Sequence, residues 1–348
     1  MGMKEELKKE WIGKEEMARI NWGRGFGKYG KGIPWGGMKL WPGVSTSTLT
    51  KHFITGEPKW PDPGPCILGA NVCGMFYTRD ENPKIPYSAK EVGDEALTAA
   101  NAGATIIHFD IRDPKNPALC VSDVDAYREA ITPVKEKHKE ILISGDAIFG
   151  DTVEKCTEAL ELFDVVPIYT AAINFGGGSL MISKDFVQGL TRLVQDLGKK
   201  PQIAIFSEGD LTNAERWLIR PGILEKPYYF LILAGIPGGA TFRGLPEMMS
   251  YFYSLQLRLR ENFRDNYQED CVIMVGSAGR IGHHIGAASV VFGDHVRVGL
   301  GDTPTKNPWS DTLVRDNAEE VNGMKNLIDG VGRRVATPSE ARRIIGLK

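Results

Sequence analysis

From residue 66 to residue 302 the chain alternates between two hydrophobic patterns. Short, nearly continuous apolar runs recur as "CILGANVCG" (66–74), "ATIIHFDI" (104–111), "EILISGDA" (140–147), "DVVPIYTAA" (164–172), "QIAIFSEG" (202–209), "YYFLILAG" (228–235), "CVIMVGSAG" (271–279) and "HVRVGLGD" (295–302). Such runs suit strands covered on both faces, as in parallel sheets. Between them lie longer amphipathic stretches at helical spacing. The stretch "SAKEVGDEALTAANAG" opens with Ser88 and Glu91 at capping-box spacing and stops at Gly103. Further helices are predicted over 122–138, 151–163, 183–198, 211–220, 244–262, 281–293 and 310–330. Eight strand–helix units in strict alternation predict an α/β fold, a (β/α)8 TIM barrel. A doubly wound open sheet is the alternative. It calls for a Gly-rich turn after the first strand, and "NVCGMFYTRD" is not one.

The first 65 residues break this pattern. They hold Trp11, Trp22, Trp35, Trp41 and Trp60, five of the chain's 7 tryptophans, set among glycines as in "WGRGFGKYGKGIPWGGMKLWPG". Disordered tails are poor in aromatics. A Trp/Gly-rich N-terminal arm over 1–65, docked on the barrel or a neighbouring subunit, is therefore expected beside a catalytic barrel over 66–348. Gly25, Gly27 and Gly30 spell GxGxxG, but no strand precedes them and no helical pattern follows. A glycine-rich irregular segment is the better reading than a dinucleotide loop.

Composition narrows the partners. The 348 residues carry 42 Lys and Arg against 44 Asp and Glu, a formal charge of −2. That balance offers no electrostatic footprint for nucleic acid or an anionic membrane surface. No apolar run reaches the ~20 residues of a membrane helix. The start, "MGMKEELKKEW", lacks the apolar stretch of a signal peptide, so a cytoplasmic enzyme is expected. The 5 cysteines show no CxxC spacing, which argues against a disulfide framework or a Cys-rich zinc site.

In a barrel the chemistry gathers where strands end. That rule selects Asn71 and Cys73, His108 and Asp110, Ser144 and Asp146, Thr170 and Asn174, Glu208 and Asp210, Ser277, and Arg297 and Asp302. Residues i and i+2 of a strand share a face. His108 and Asp110 can thus both enter the barrel mouth as metal ligands, with Asp146 on the next strand as the best-placed third. One imidazole with carboxylates suits zinc, manganese or iron(II). The competing reading is a buried histidine bonded to a nearby acid. Arg297, an arginine on an apolar strand, needs an anionic partner: a substrate carboxylate or a structural ion pair. Asp302 can serve as a general base or a helix cap. Arg112 can contact substrate, pair with Asp113 or cap a turn. The glycines of "NFGGGS" can expose backbone N–H groups to an anion or form a flexible loop.

Several segments together resemble the β-keto acid cleavage enzymes: "ENPKIPYSAKEVGDEALTAANAGATIIHFDIRDP", "NFG", "KPQIAIFSEGDL", "GDHVRVGLGD" and the tail "GRRVATPSEARRIIGL", in collinear order over residues 66–348. The resemblance implies a (β/α)8 barrel, a homotetramer, and a zinc-dependent reaction of a β-keto acid with acetyl-CoA that yields acetoacetate and a new CoA thioester. It assigns Arg297 and Asp302 to catalysis and His108 to the metal, and it keeps Ser144-Gly145 as a hydroxyl–glycine pair. Asn174, Glu208 and Arg112, chosen by their place at or just past strand ends, are the substrate-binding candidates. The departures fall on the site. Asp110 stands for a second histidine ligand, Gly301 for a glutamate ligand, Phe76 for a glutamate and Ala172 for a threonine. A rebuilt metal site of His108, Asp110 and Asp146 answers the first two, and its oxygen-rich ligation shifts preference from zinc toward manganese or iron(II). Three functions follow. The first is acetyl-CoA-dependent cleavage of a β-keto acid or β-dicarbonyl. The second is CoA-independent hydrolysis of a β-diketone, cyclic ones included. The third is a non-catalytic descendant binding a small ligand or partner.

Overall fold

The computed structural model describes residues 61–113, 115–117, 119–146, 152–175, 178–236, 241–262 and 270–347. The predicted arm therefore lies outside the described residues save for 61–65. Residues 63–347 fall within one compact unit.

Eight parallel strands close into a barrel. They are β1 (Leu68–Asn71), β2 (Ile106–Phe109), β3 (Leu142–Gly145), β4 (Val165–Tyr169), β7 (Lys200–Ile205), β8 (Tyr228–Ala234), β9 (Cys271–Ser277) and β10 (His295–Val298), with β1 pairing both β2 and β10. Seven lie within the predicted runs, and β7 starts at Lys200, two residues ahead of the run predicted over 202–209. The TIM barrel expected from the pattern is the observed fold. The remaining strands, β5 (Ile173–Phe175) and β6 (Gly178–Leu180), form an antiparallel hairpin above β4. A loop was the simpler expectation there. The two residues between the paired Phe175 and Gly178 are Gly-Gly in sequence, a dipeptide that tight hairpin turns favour.

The helices are α1 (Ala89–Ala102), α2 (Val124–Lys137), α3 (Thr157–Leu160), α4 (Lys184–Asp196), α5 (Glu208–Ala214), α6 (Leu245–Asn262), α7 (Gly282–Val291), α8 (Asn317–Gly330) and α9 (Pro338–Ile344). Helix α1 starts and stops where its sequence says. Ser88 Oγ accepts from the Glu91 amide, Glu91 returns the bond to the Ser88 amide, and Gly103 takes the left-handed φ of 112° that ends the helix. The helix predicted over 151–163 reduces to α3 and a preceding 3₁₀ turn (Glu154–Cys156). Phe163 is already buried in the core and β4 begins at Val165, which leaves little length for more turns. Helix α5 begins earlier than predicted, because Ser207 and Asp210 form a capping box ahead of it.

Strand alternation sorts the core into two layers. Ile107, Phe109, Ile143, Val166, Ile203 and Ile232 point outward and pack under the helices. Ile106, Leu142, Val165, Ala204, Leu231 and Met274 point inward and fill the barrel. The inner layer is sealed at the strands' N-terminal end by the tail, where Ala336, Ala341, Ile345 and Leu347 join it. Backbone bonds from the Cys66 amide to Arg334 and from the Ala336 amide to Cys66 hold the tail there. Among the described residues nothing seals the opposite end.

Candidate active site

Register sets the site at the open end. Asn71 on β1 lies beside His108 on β2, and His108 beside Ser144 on β3. Two residues further along, Asp110 and Asp146 keep the inward face of His108 and Ser144. A pocket with an atom-free volume of about 340 Å³, partly open to solvent, results. Its polar lining is Asn71, His108, Asp110, Asp146, Tyr169 and Arg297. Its apolar lining is Met75, Phe76, Pro167, Ala204, Leu231 and Leu233.

One ligand atom from each of His108, Asp110 and Asp146 lies within 4.8 Å of the other two. His108 Nδ1 is 3.0 Å from Ser144 Oγ, and its Nε2 is 3.3 Å from Asp110 Oδ2. With the Nδ1 proton given to Ser144, the neutral ring turns the Nε2 lone pair toward the two carboxylates. Asp146 Oδ2 accepts the Tyr169 hydroxyl at 2.7 Å, while its Oδ1 is buried without a hydrogen-bond partner. An orphaned buried carboxylate oxygen beside a second acid and an imidazole is what a divalent cation would satisfy. The donor set fits a metal.

The electrostatics agree with a crowded acidic centre. Burial pushes the Asp146 carboxyl up to about 6, with Asp110 adding to the rise against the pull of His108, Tyr169 and Arg297. For Asp110, burial acts upward too, but His108, Arg112 and Arg297 outweigh it and its pKa falls below the ordinary value. Burial disfavours a charged His108; Asp110 and Asp146 overcome that, and its pKa lies above the usual one. Burial, then the Asp146 carboxylate, keeps the Tyr169 phenol protonated.

Arg297 lines the pocket and closes an ion pair at once. Its Nε and Nη2 donate to Asp302 Oδ2 and Oδ1 at 2.8 and 2.7 Å, and Asn71 Nδ2 donates to Oδ1 at 2.8 Å. Asp302 is fully buried. The glycine at 301 is closed to any side chain. A Cβ there would fall 2.5 Å from the Gly74 amide nitrogen and 2.6 Å from Asn71 Oδ1. An acid cannot enter from that position without moving backbone, and Asp146 approaches from β3 instead.

The other candidates lie elsewhere. Arg112 is buried in the loops after β1 and β2 as a clamp: Nε donates to the Gly74 carbonyl at 2.6 Å, Nη2 to the Tyr77 carbonyl at 2.8 Å, and Nη1 to the Pro117 carbonyl. Glu208 sits on the first turn of α5, outside the pocket, where it accepts from Ser254 at 3.0 Å. Asn174 lies on β5, and its side chain is outside the described residues. Thr170 turns away and donates to the Asp210 carbonyl. Tyr169, one residue earlier, is the inward group that strand-end reasoning passed over. Parity within β4 could have found it, since Val165, Pro167 and Tyr169 share a face. The apolar lining carries no signal that separates it from core.

The sequence matches the model of the beta-keto acid cleavage enzyme family over residues 65–347. The chain belongs to this family. A 3-keto-5-aminohexanoate cleavage enzyme of Fusobacterium nucleatum is 28% identical over 288 residues, covering 81% of this chain and 98% of that one. A 3-dehydrocarnitine:acetyl-CoA trimethylamine transferase of Rhizobium meliloti is 24% identical over 301 residues, 79% and 94% of the two chains. Among solved structures, apo ObcA superposes with a TM-score of 0.61 at 19% identity, covering 76% of this chain and 66% of that one, a likeness of fold. This beta-keto acid cleavage family member is thus a C–C bond-cleaving enzyme on a (β/α)8 barrel. Among the described residues no helix is long and apolar enough to cross a membrane, and all 5 cysteines of the barrel are free thiols.

Proposed function

We propose that the enzyme uses acetyl-CoA to cleave a β-keto acid, R–CO–CH2–COO⁻, giving acetoacetate and R–CO–S–CoA. The observation that carries this reading is the convergence of His108, Asp110 and Asp146 beside the Arg297–Asp302 pair at one open barrel end. Relatives named as acetyl-CoA transferases of keto acids support it.

Atom balance sets the steps. Acetoacetate keeps the CH2–COO⁻ of the keto acid and gains the acetyl group, so a bond must form between C2 of the keto acid and the thioester carbonyl. That requires loss of a C2 proton and departure of CoA thiolate. The thiolate then adds to the R–CO carbon, the C2–CO bond breaks, and the carbanion at C2 recovers a proton. Arg297 faces the pocket and meets the substrate carboxylate, offsetting charge as the enolate forms. Asp302 holds Arg297 in place. Asp302 is fully buried behind Arg297, which lines the pocket, so we assign the relay of the C2 proton, off and later back, to the Arg297–Asp302 pair together. Ser144 fixes the His108 ring, and Tyr169 fixes Asp146. His108, Asp110 and Asp146 would hold a zinc, manganese or iron(II) ion. When bound, such an ion supplies Lewis-acid polarisation of the substrate carbonyls.

Elemental analysis of gently purified protein, with acetoacetate measured from a β-keto acid plus acetyl-CoA, tests the reading. Stoichiometric metal that is lost in His108→Ala and Asp110→Ala, together with CoA-dependent turnover, is expected. Turnover of a β-diketone without CoA would reject the transferase assignment, and clean absence of metal would reject the metal site.

A further inference from the structure

We propose that the substrate group beyond the ketone is uncharged and apolar, and that Phe76, Leu231 and Leu233 select it. The proposal rests on the reading above and names the substrate class of the same pocket. Beside the polar groups the described lining is Met75, Phe76, Pro167, Ala204, Leu231 and Leu233, which offers no side-chain hydrogen-bonding group of its own beyond weak thioether sulfur.

The charged groups of the polar lining are already engaged. Asp302 takes Arg297 through two hydrogen bonds, Ser144 and Asp110 take His108, and Tyr169 takes Asp146. Of the uncharged polar groups, Asn71 Nδ2 donates to Asp302 and the Tyr169 hydroxyl to Asp146, which leaves Asn71 Oδ1 as a neutral acceptor without a partner. Asp146 Oδ1 is the unpartnered carboxylate oxygen among the described lining residues, and it belongs to the candidate metal set. Once the keto acid's own carboxylate claims Arg297, a second carboxylate on the tail meets no further cation among the described lining residues. A tail ammonium meets there no acid outside the candidate metal set, only the neutral Asn71 Oδ1. Either would leave water without a charged partner, which is strongly unfavourable. An alkyl tail, by contrast, gains from each methylene it buries. Phe76 is well placed to select because it is partly exposed while packing against the inner apolar layer.

The test uses full-length, metal-loaded protein and three acids of the same chain length: 3-oxohexanoate, 3-oxoadipate and 5-amino-3-oxohexanoate. Binding is read by calorimetry without acetyl-CoA, and kcat/KM with it. The expected result is a preference of at least about tenfold for 3-oxohexanoate over both charged acids, the scale on which hydrophobic pockets discriminate. Phe76→Glu is expected to erase that preference in favour of the amino acid, and Leu231→Ala, which adds room, to move it toward longer alkyl tails. Equal or tighter binding of either charged acid by the wild-type protein overturns the proposal. So does an unchanged ranking in both variants. Ranked binding without acetoacetate formation would sink the proposed reaction and leave the tail selectivity standing; failure of all three acids to bind would overturn both.

Discussion

Two histidines point into the same barrel, and the structure treats them in opposite ways. His108 sits near the open end with two carboxylates and a serine around it, and its pKa is raised despite burial. His295 sits at the start of β10, near the sealed end, where burial, aided by Arg333, drives its pKa down to about 3. Its Nδ1 accepts from the Ile67 amide at 3.0 Å, so it serves as a neutral backbone partner. The difference is neither residue type nor depth, since both are almost wholly buried. It is the company each strand end keeps. The sealed end collects hydrocarbon and tail, and the open end collects charge that only a ligand or ion fully satisfies.

The strongest way to break this division is to remove one member of the buried ion pair at the open end. Arg297→Met leaves Asp302 fully enclosed with only Asn71 as a side-chain donor. Stripping one partner from a buried pair costs about 3–5 kcal/mol, to be read by chemical denaturation. Loss of the carboxylate-binding charge is expected to cut kcat/KM by about 10²–10³-fold more than folding alone explains. A stable Arg297→Met protein with normal kcat/KM would dissolve the distinction between the two ends.

At the sealed end the expected effect is on stability alone. Ile345 is fully buried in the inner layer where the tail closes the barrel. Ile345→Ala removes that plug's packing and is expected to lower unfolding free energy by about 2–5 kcal/mol. Below the melting transition kcat/KM stays at the wild-type value. A change in KM at constant fold would show that the bottom layer is coupled to the pocket.

These expectations show what a reader of the sequence can and cannot see. The eight strands were legible because fully covered parallel strands are continuous apolar runs, and the pairing of His108 with Asp110 followed from strand parity alone. Helix α1 was legible to its ends because its caps are local chemistry. Tyr169 was passed over because strand-end reasoning went to the polar Thr170, although parity with Val165 and Pro167 marks 169 as the inward residue. The Asn71–Asp302 bond joins residues 231 apart in the chain, and Arg112 spends its guanidinium on backbone carbonyls that any sequence carries. Glu208 looked like a strand-end acid, but Ser207 and Asp210 had already begun a helix. Contacts set by tertiary closure leave no periodic trace.

A pH titration sharpens the contrast between the two histidines. Unfolded, His295 takes up a proton near its ordinary value of 6.5, and folded only near 3. Between these values the unfolded chain binds more protons, so stability falls as pH falls, by about 1.4 kcal/mol per unit at most. His108 acts with the opposite sign, since its raised pKa gives stability that is lost as pH rises through the folded value. His295→Asn offers an amide oxygen to the Ile67 N–H and does not titrate. Its unfolding free energy, measured from pH 6.5 down to 4, is expected to show a shallower acid slope than the wild type. Parallel slopes would mean that His295 is protonated in the folded protein.

The smallest expected effect isolates the open end's own logic. Ser144 is buried, and its Oγ meets His108 Nδ1 at 3.0 Å from the neighbouring strand. Ser144→Ala removes a single hydroxyl and leaves a methyl in place of the methylene, so the melting temperature should barely move. What changes is the ring. Without the Oγ acceptor, neither the Nδ1–H tautomer nor the ring plane is held, and Nε2 no longer faces Asp110 and Asp146 as a fixed donor. Partners that orient a metal-ligating histidine are worth about 10–100-fold in metal affinity. Competition with a chelator, followed by elemental analysis, reads that shift directly, and Ser144→Thr, which keeps a hydroxyl, should restore part of it. An alanine variant with undiminished affinity would mean that the ring is held by packing alone, and Ser144 would then belong with the inert layer below rather than with the site.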